Sequence, residues 1–421
     1  MNPVKSTINY PMLNWARKTA FYDVDEIARK LKVKPEKIEK WEHGYEEPTN
    51  KQLINLAQYY RRSPMLFYTS LEPTEEKLLP DFRTLPNKQK KQNSKIAFEI
   101  RSAKERRNYL ITLEEENKEN IKYKIQNFNE NFSKYSFKNS KSLVSSITEE
   151  IWKKLEITKA KQDAKSPQEF LEFLITKLEG LGVLVFQFYN IKSEELRGYA
   201  IYHDKLPIIG INATEHPHGK IFTLFHELTH LLIEKEGISN INSFKLGDEI
   251  EIFCNRVAGE VLVPENLLLS DEKVKLKKEG IWKDHEIKKL SKQFNVSPAV
   301  IIRRLLTLNK ISNDFYNQKN QKWEKKYIHK EKPITAPQNK EKTSIDKSKT
   351  FTDKSTKDNE KNYSESTIKS KVTKALNKNG NYYTKMLIFA DEDRIITAEN
   401  LSQYLGETLN TIESIKRIGR E

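Results

Sequence analysis

The chain has 421 residues, of which only 37% are apolar, and its 74 Lys and Arg outnumber its 59 Asp and Glu to give a formal net charge of +15. A single cysteine, Cys254, excludes an internal disulfide framework and a multi-cysteine zinc site, which is typical of a reducing compartment. No run approaches the roughly 18 apolar residues of a membrane span, and the amino-terminal residues contain no apolar signal region. We therefore expect a soluble, cytoplasmic protein of roughly two to three domains.

The first 70 residues are predicted to form a bundle of roughly four or five short helices. Asp23 is a candidate cap for the segment VDEIARKL, Pro35 opens a second helix after a short turn, and Thr49 caps a third. Two helices joined by such a turn are typical of a helix-turn-helix. Residues 1–70 are therefore predicted to be an all-α helix-turn-helix domain.

The next part of the chain changes from helical to mixed patterns. Residues 71–165 are predicted to be a helical connecting region, with a highly charged helix at 96–118. From residue 166 a helix, PQEFLEFLITKLEGL, precedes an apolar strand, VLVFQFY. Two further strands are predicted at 197–202 and 207–212, and they lead directly into another helix. That helix carries the residues from which a function can be inferred.

The segment KIFTLFHELTHLLIEKEG contains His226, Glu227 and His230 in the pattern H-E-x-x-H, and Gly237 is its predicted helix C-cap. Residues four apart lie one turn apart on one helix face, so both imidazoles can bind one metal ion. Glu227 lies about 100° further round the helix and is a candidate general base. Apolar residues on the same helix predict that it is buried: Ile221, Leu224, Phe225, Leu228 and Leu232.

A third metal ligand is predicted in the helix EIEIFCNRVAGEVLVP. Glu251 is the first choice, and Asn255 lies one turn later on the same face, where it can orient a ligand histidine. Glu249 and Glu260 are alternative carboxylates, but Glu249 lies off that face and Glu260 lies further along the helix. Cys254 is more simply explained as a small buried apolar residue than as a fourth ligand.

Residues that contact a substrate are harder to select from the sequence. Tyr199, Tyr202 and His203 are candidates for oxyanion or substrate contacts, whereas His216 and His218 are more typical of surface loops. The strands that precede the metal-site helix could pair with an extended polypeptide by edge addition, which would present an amide bond to the metal.

The carboxy-terminal part is predicted to contain a linker and a small module. Residues 316–372 are expected to be a disordered, Lys-rich linker, because their apolar residues are few and follow no helical or strand period. Residues 373–421 are expected to be a small helical module, in which Thr397 opens one helix, Gly406 ends it and Thr408 starts the next. No role for this module follows from the sequence.

Several stretches carry a resemblance to a known family: RGYA, IGINA, FTLFHELTHLL and EIFCNRVAGEVLVP in the middle of the chain, and KWEHGYEEPTNKQLINLAQYY and LLPDFRTL nearer its start. They resemble ImmA/IrrE-type metallopeptidases that carry an N-terminal XRE-like helix-turn-helix domain. The resemblance covers roughly residues 10–85 and 165–310.

The resemblance implies a zinc-dependent endopeptidase of the gluzincin type, with His226, His230 and Glu251 as zinc ligands and Glu227 as the base. It also implies the substrate, a cytosolic helix-turn-helix transcriptional repressor that is cleaved to relieve repression in stress or in the control of mobile elements. Mn²⁺ or Fe²⁺ could replace Zn²⁺, because both suit a site of two histidines and one carboxylate.

The whole sequence thus predicts an α+β protein. Its parts are the helix-turn-helix bundle, a gluzincin-like metallopeptidase core of a small sheet plus helices over residues 166–315, the disordered linker and the small helical module. Within the core, HEIKKLSKQFNVSPAVIIRRLLTL predicts a second helix pair, which is expected to be structural support and not a DNA contact.

The alternative function is a DNA-binding transcriptional regulator, or an antitoxin-like protein, whose metal site senses instead of cleaving. Three lysines are candidate contacts with double-stranded DNA: Lys34, Lys37 and Lys40. Three glutamates interleave with them and would repel phosphate: Glu36, Glu39 and Glu42. Residues 1–62 carry 12 Lys and Arg minus 8 Asp and Glu, a net charge of only +4. This N-terminal surface is therefore equally well explained as a docking site for a repressor protein.

Overall fold

The computed structural model describes residues 8–70, 93–117, 125–235, 237–239, 249–277, 282–319 and 365–418. These residues form helices together with one four-stranded sheet, which confirms the predicted α+β class. The chain divides into two compact units, Met1–Ala258 with Ala375–Glu407 and Gly259–Lys374 with Thr408–Glu421. The five segments predicted from the sequence, and the boundaries between them, stay predictions.

The N-terminal helices are α1 (Tyr10–Thr19), α2 (Val24–Leu31), α3 (Pro35–Glu42) and α4 (Asn50–Tyr60), followed by a 3-10 helix at Pro64–Tyr68. Pro35 begins α3 as predicted, and Thr49 caps α4 in a capping box with Gln52. Asp23 occupies the predicted cap position of α2, but its side chain makes no capping hydrogen bond. The helical bundle is therefore present, while its helix-turn-helix function stays a prediction.

A buried ion pair lies inside this bundle. Arg17 Nε and Glu42 Oε1 are 2.6 Å apart, and both side chains are almost fully buried. The sequence predicted that Glu42 would repel the phosphate groups of DNA. In the structure Glu42 is buried and does not face a nucleic acid. The physical reason is that a buried guanidinium needs a carboxylate partner, so Glu42 turns inward to Arg17.

The connecting region contains α5 (Asn93–Glu116), α6 (Phe128–Asn131), α7 (Lys141–Lys154), α8 (Ile157–Asp163) and α9 (Pro167–Gly180). Helix α5 is the charged helix predicted at 96–118. Its Arg101 donates hydrogen bonds to the backbone carbonyls of Tyr60 and Thr19, at 3.1 and 3.2 Å. These bonds attach α5 to the N-terminal bundle.

The sheet has strands β1 (Leu184–Phe188), β2 (Gly198–Ile201), β3 (Ile208–Asn212) and β4 (Gly237–Ser239). Their order is β1-β3-β2-β4, with β1 parallel to β3 and β2 antiparallel to both of its neighbours. The three strands predicted from the sequence are confirmed. Strands β1 and β4 are the outer strands of the described sheet, and the edge addition of a polypeptide stays a prediction.

Helix α10 (Pro217–Leu232) follows β3 and contains the H-E-x-x-H pattern. The prediction that Gly237 caps this helix is wrong, because the chain turns earlier. Glu234 adopts a left-handed φ of 53°, and the backbone N–H of Lys235 donates to the carbonyl of His230 at 2.9 Å. Gly237 instead begins β4.

Helices α5 and α10 lie on opposite faces of the sheet. A Cβ atom on Gly198 of β2 would lie 2.4 Å from Cγ2 of Thr223, so this residue faces α10. Tyr199 points to the other face because side chains alternate along a strand, and its hydroxyl donates to Glu99 of α5 at 3.2 Å. The sheet therefore separates Tyr199 from the histidine helix.

The remaining described helices are α11 (Glu249–Leu262), α12 (Glu265–Ser270), α13 (Glu272–Leu276), α14 (Asp284–Gln293), α15 (Pro298–Thr307), α16 (313–319), α17 (Glu365–Asn379), α18 (Asn381–Glu392), α19 (Ala398–Leu405) and α20 (Leu409–Ile418). Helices α14 and α15 are the predicted second pair. Thr397 caps α19, and Gly406 ends it with a φ of 61°, both as predicted. Among the described helices, none is long and apolar enough to cross a membrane.

Most of the predicted linker, residues 320–364, lies outside the described residues. Its two ends differ from the prediction, because 316–319 belong to α16 and 365–372 belong to α17. In α17, Val372 and Ala375 are buried at helical spacing. The sequence analysis did not predict this buried face of α17, because Val372 and Ala375 lie on the two sides of the predicted boundary after residue 372.

Candidate metal centre

Helix α10 is buried along most of its length. His216 caps its first turn by accepting a hydrogen bond from the backbone N–H of His218, and Pro217 follows the cap. The five apolar residues predicted to bury α10 are all at most 3% exposed. His226 and His230 consequently lie in the interior, with 2% of each exposed.

The side chains of His226, His230 and Glu251 meet between α10 and α11. The Nε2 atoms of the two histidines are 3.2 Å apart. Glu251 Oε2 lies 3.2 Å from Nε2 of His226, and Glu251 Oε1 lies 3.1 Å from Nε2 of His230. Within the part of the chain that the structure describes, these three side chains form the cluster that could hold a metal ion.

The spacing of these donor atoms fits a metal ion. Ligand atoms at about 2.0–2.1 Å from a tetrahedral zinc ion lie roughly 3.3–3.4 Å from one another. The observed separations of 3.1–3.2 Å are close to that value. Two imidazoles and one carboxylate also match the donor sets of catalytic zinc sites, in which a fourth position is left for water or substrate.

Asn255 determines which nitrogen of His226 carries the proton. The Nδ2 group of Asn255 donates to the backbone carbonyl of Glu251 at 2.7 Å, which directs its Oδ1 to Nδ1 of His226 at 3.2 Å. An amide oxygen only accepts hydrogen bonds, so Nδ1 of His226 is the protonated nitrogen. The lone pair of Nε2 therefore points to the centre, where a metal ion would bind.

The charged groups of the centre shift one another's pKa values. Burial alone would raise the pKa of Glu251, but His226 and His230 hold it well below its usual range. Burial alone would lower the pKa of His230, but the Cys254 thiol and the Glu251 carboxylate hold it well above its usual range. Burial raises the pKa of the Cys254 thiol. Cys254 is fully buried and lies outside the three-residue cluster, as the sequence analysis favoured.

Residues 179–306 match the family model Peptidase_M78, the IrrE N-terminal-like domain. This part of the chain is an ImmA/IrrE-type metallopeptidase domain. The matched residues contain the H-E-x-x-H pattern together with Glu251 and Asn255, and they do not include the N-terminal bundle. No match was found among curated proteins or among solved structures.

One contact in the ImmA/IrrE-type domain was missed by the sequence analysis. Glu227 is fully buried, and a Cβ atom on Gly198 would lie 2.8 Å from its Oε1. Thr223 lies one turn before Glu227 and faces the same point of β2. The carboxylate of Glu227 therefore packs directly on the strand backbone. A glycine inside a predicted strand, here within RGYA, is the signal that could have indicated this close approach.

The predicted substrate contacts of the ImmA/IrrE-type domain have other partners. Tyr199 is fully buried on the far face of the sheet. The Tyr202 hydroxyl lies 2.8 Å from Oε1 of Glu234. His203 accepts hydrogen bonds at Nδ1 from the backbone N–H groups of Lys205 and Leu206, at 3.2 and 3.4 Å. These placements favour structural roles, because the hydroxyls of Tyr199 and Tyr202 and Nδ1 of His203 already bond within the fold.

The alternative metal ligands lie elsewhere. Glu249 is exposed at the beginning of α11. The carboxylate of Glu260 forms an ion pair with Arg304, whose Nε also donates to the carbonyl of Val263 at 2.9 Å. His216 has a role as the cap of α10. Among the carboxylates that the sequence analysis considered, Glu251 is the one that meets the two histidines.

The three candidate DNA-binding lysines differ in their surroundings. Lys34 and Lys40 are exposed, whereas Lys37 forms an ion pair with Glu46 at 3.0 Å and lies over the ring of Trp41. Exposed lysines are available to phosphate groups, but Lys37 would first have to leave its carboxylate partner.

Proposed function

We propose that this protein is a zinc-dependent endopeptidase that cleaves a cytosolic helix-turn-helix transcriptional repressor. The observation that carries the proposal is the convergence of His226, His230 and Glu251 at 3.1–3.2 Å inside a domain of the metallopeptidase type. Cleavage of the repressor would relieve repression in stress or in the control of mobile elements. A cytoplasmic location, and repressor docking on the N-terminal bundle, belong to the same proposal.

Each residue of the centre has a separate role in the proposed reaction. When bound, zinc supplies a Lewis acid that activates water and the scissile carbonyl. His226, His230 and Glu251 would hold the ion, and Asn255 keeps the His226 proton on Nδ1. Glu227 would accept the proton of the attacking water at its carboxylate and return it to the leaving nitrogen.

The backbone of β2 lies directly against the carboxylate of Glu227, the proposed base. Because the Glu227 carboxylate touches Gly198, Gly198→Ala is expected to displace it and to lower the cleavage rate roughly 10²-fold without loss of metal. The rate is measured by gel on a cleaved repressor and the zinc content by elemental analysis. Gly180→Ala is the matched control, since a Cβ atom there meets nothing within 4 Å. Cleavage at the wild-type rate by Gly198→Ala would contradict this role.

The whole function is tested by metal analysis and co-expression. The purified protein is expected to hold about one zinc ion per chain. When it is co-expressed with helix-turn-helix repressors encoded nearby, one of them is expected to be cut. If the protein holds no metal and cuts none of these repressors, the proposal fails. A different bound metal would change only the identity of the ion.

DNA binding is the second candidate function, and the exposure of Lys34 and Lys40 favours it. If both contact phosphate, Lys34→Ala/Lys40→Ala is expected to reduce the slope of log affinity against log salt concentration by about 2. Fluorescence anisotropy with duplex DNA measures this slope. Lys51→Ala, which changes an exposed lysine of α4, is the control. If the wild type does not bind DNA, or binds it with an affinity that does not depend on salt, DNA binding is ruled out as a function.

A further inference from the structure

Residues of the C-terminal part contact the sheet of the ImmA/IrrE-type domain. The segment Ala375–Glu407, which lies in the small helical module predicted at 373–421, belongs to the same compact unit as the sheet. Its contacts are concentrated in residues 377–383, which join the end of α17 to the beginning of α18. We call these residues the C-terminal clamp.

The clamp covers the outer edge of β1. The backbone N–H of Leu184 bonds toward β3, to the carbonyl of Pro207 at 2.9 Å, so the next residue, Val185, presents its backbone to the outer side. A Cβ atom on Gly380 would lie only 2.9 Å from the carbonyl oxygen of Val185. Gly380 also has a φ of 76°, which other residues rarely adopt. Glycine is thus required here both by backbone conformation and by proximity to the strand.

Side chains on two helices hold the clamp in place. Arg106 of α5 donates to the carbonyl of Lys378 at 3.2 Å. Glu179, at the end of α9, is 4% exposed, and burial raises the pKa of its carboxyl group to about 8, although the backbone N–H groups of Tyr382 and Asn381 oppose this rise. A Cβ atom on Gly380 would lie 3.1 Å from Oε1 of Glu179, so this buried side chain packs against the beginning of α18 from another part of the chain.

A hydrogen-bonded chain connects the clamp to the metal-site helix. Gln187 of β1 donates through Nε2 to Oδ1 of Asn377 at 3.1 Å, and its Oε1 accepts from Nζ of Lys220 at 3.3 Å. Gln187 and Lys220 are 4% and 8% exposed, so water competes little for these bonds. Lys220 lies near the beginning of α10, which continues to His226 and His230.

We propose that residues 377–383 act as a clamp in cis, which covers the edge of β1 and, through Gln187, holds the beginning of the helix that bears His226 and His230. The C-terminal segment then stabilises the strand and the helix that position the metal site. This inference does not depend on the proposed peptidase activity, because it concerns the order of β1 and α10 in the metal-free chain. It concerns residues that lie beyond the match to the IrrE N-terminal-like domain.

Hydrogen exchange of the full chain, read by mass spectrometry, tests the clamp. Gly380→Ala places a methyl group against Val185 and is expected to speed exchange in β1 and in 217–221 at least about tenfold. Gly406→Ala is the control, because it also replaces a glycine of positive φ, but its nearest neighbour is the flexible Nζ of Lys378 at 3.5 Å. That variant is expected to leave both regions protected.

A second variant avoids backbone strain. Asn377→Leu removes the hydrogen bonds to Gln187 and to the Tyr189 hydroxyl, and we expect it to speed exchange in the same two regions by a smaller factor. Circular dichroism establishes that each variant remains folded. Wild-type exchange in both Gly380→Ala and Asn377→Leu would overturn the proposal, and so would equal acceleration by Gly406→Ala. Acceleration in β1 without acceleration in 217–221 would overturn the connection to the metal-site helix.

Discussion

His230→Ala is expected to lose the bound metal ion completely, from about one zinc per chain to none. Nε2 of His230 lies 3.2 Å from Nε2 of His226 and 3.1 Å from Glu251, so its removal leaves two of the three ligands. A water molecule cannot replace it well, because the site is buried and its surroundings on α10 are apolar. Elemental analysis after gel filtration measures the loss.

Two further measurements make the metal-loss result specific. His285→Ala, which changes an exposed histidine of α14, is expected to retain the wild-type metal content. Metal removal by a chelator is expected to lower the Tm of the wild type but not that of His230→Ala, since only a bound ion stabilises the folded state. A His230→Ala protein that still holds stoichiometric zinc would refute the ligand assignment.

Glu227→Gln is expected to retain zinc and to cut the repressor about 10²–10⁴-fold more slowly than the wild type. The amide has nearly the same shape as the carboxylate, so it can keep the contact with Gly198. It cannot accept the proton of the attacking water. The combination of retained metal and lost cleavage therefore separates a base from a metal ligand.

The cleavage rate of Glu227→Gln is compared with that of Glu194→Gln, which changes an exposed glutamate of the same domain. The control is expected to cut at the wild-type rate. If Glu227→Gln also cuts at that rate while holding zinc, Glu227 is not the base and another carboxylate or water chain must serve. If it has lost zinc, the carboxylate supports the metal site and not the proton transfer.

Local spacing in the sequence was sufficient to predict much of the site. Residues four apart on a helix always share a face, so His226 and His230 were certain to lie together once α10 formed. The same rule placed Asn255 one turn after Glu251, and the structure has Asn255 bonded to both His226 and the Glu251 backbone. The apolar spacing of α10 likewise predicted its burial correctly.

Contacts between distant segments could not be predicted in this way. Tyr199 was a reasonable candidate for the site by its position, but strand alternation turns it away from α10 to Glu99 of α5. The close approach of Gly198 to Glu227 depends on which face of the sheet α10 covers. Gly237 was predicted to end a helix and begins a strand instead, because Glu234 turns the chain first.

The sequence by itself determined the helix of the candidate metal site, its two histidines and the three strands before it, since these follow from periodicities of a few residues. Only the tertiary structure decided which elements meet. It brought Glu251 to the two histidines, and it placed residues 377–383 on β1, from nearly 200 positions further along the chain. The physical reason is that burial and hydrogen bonding between such segments depend on the packing of the whole unit, which no local pattern of residues records.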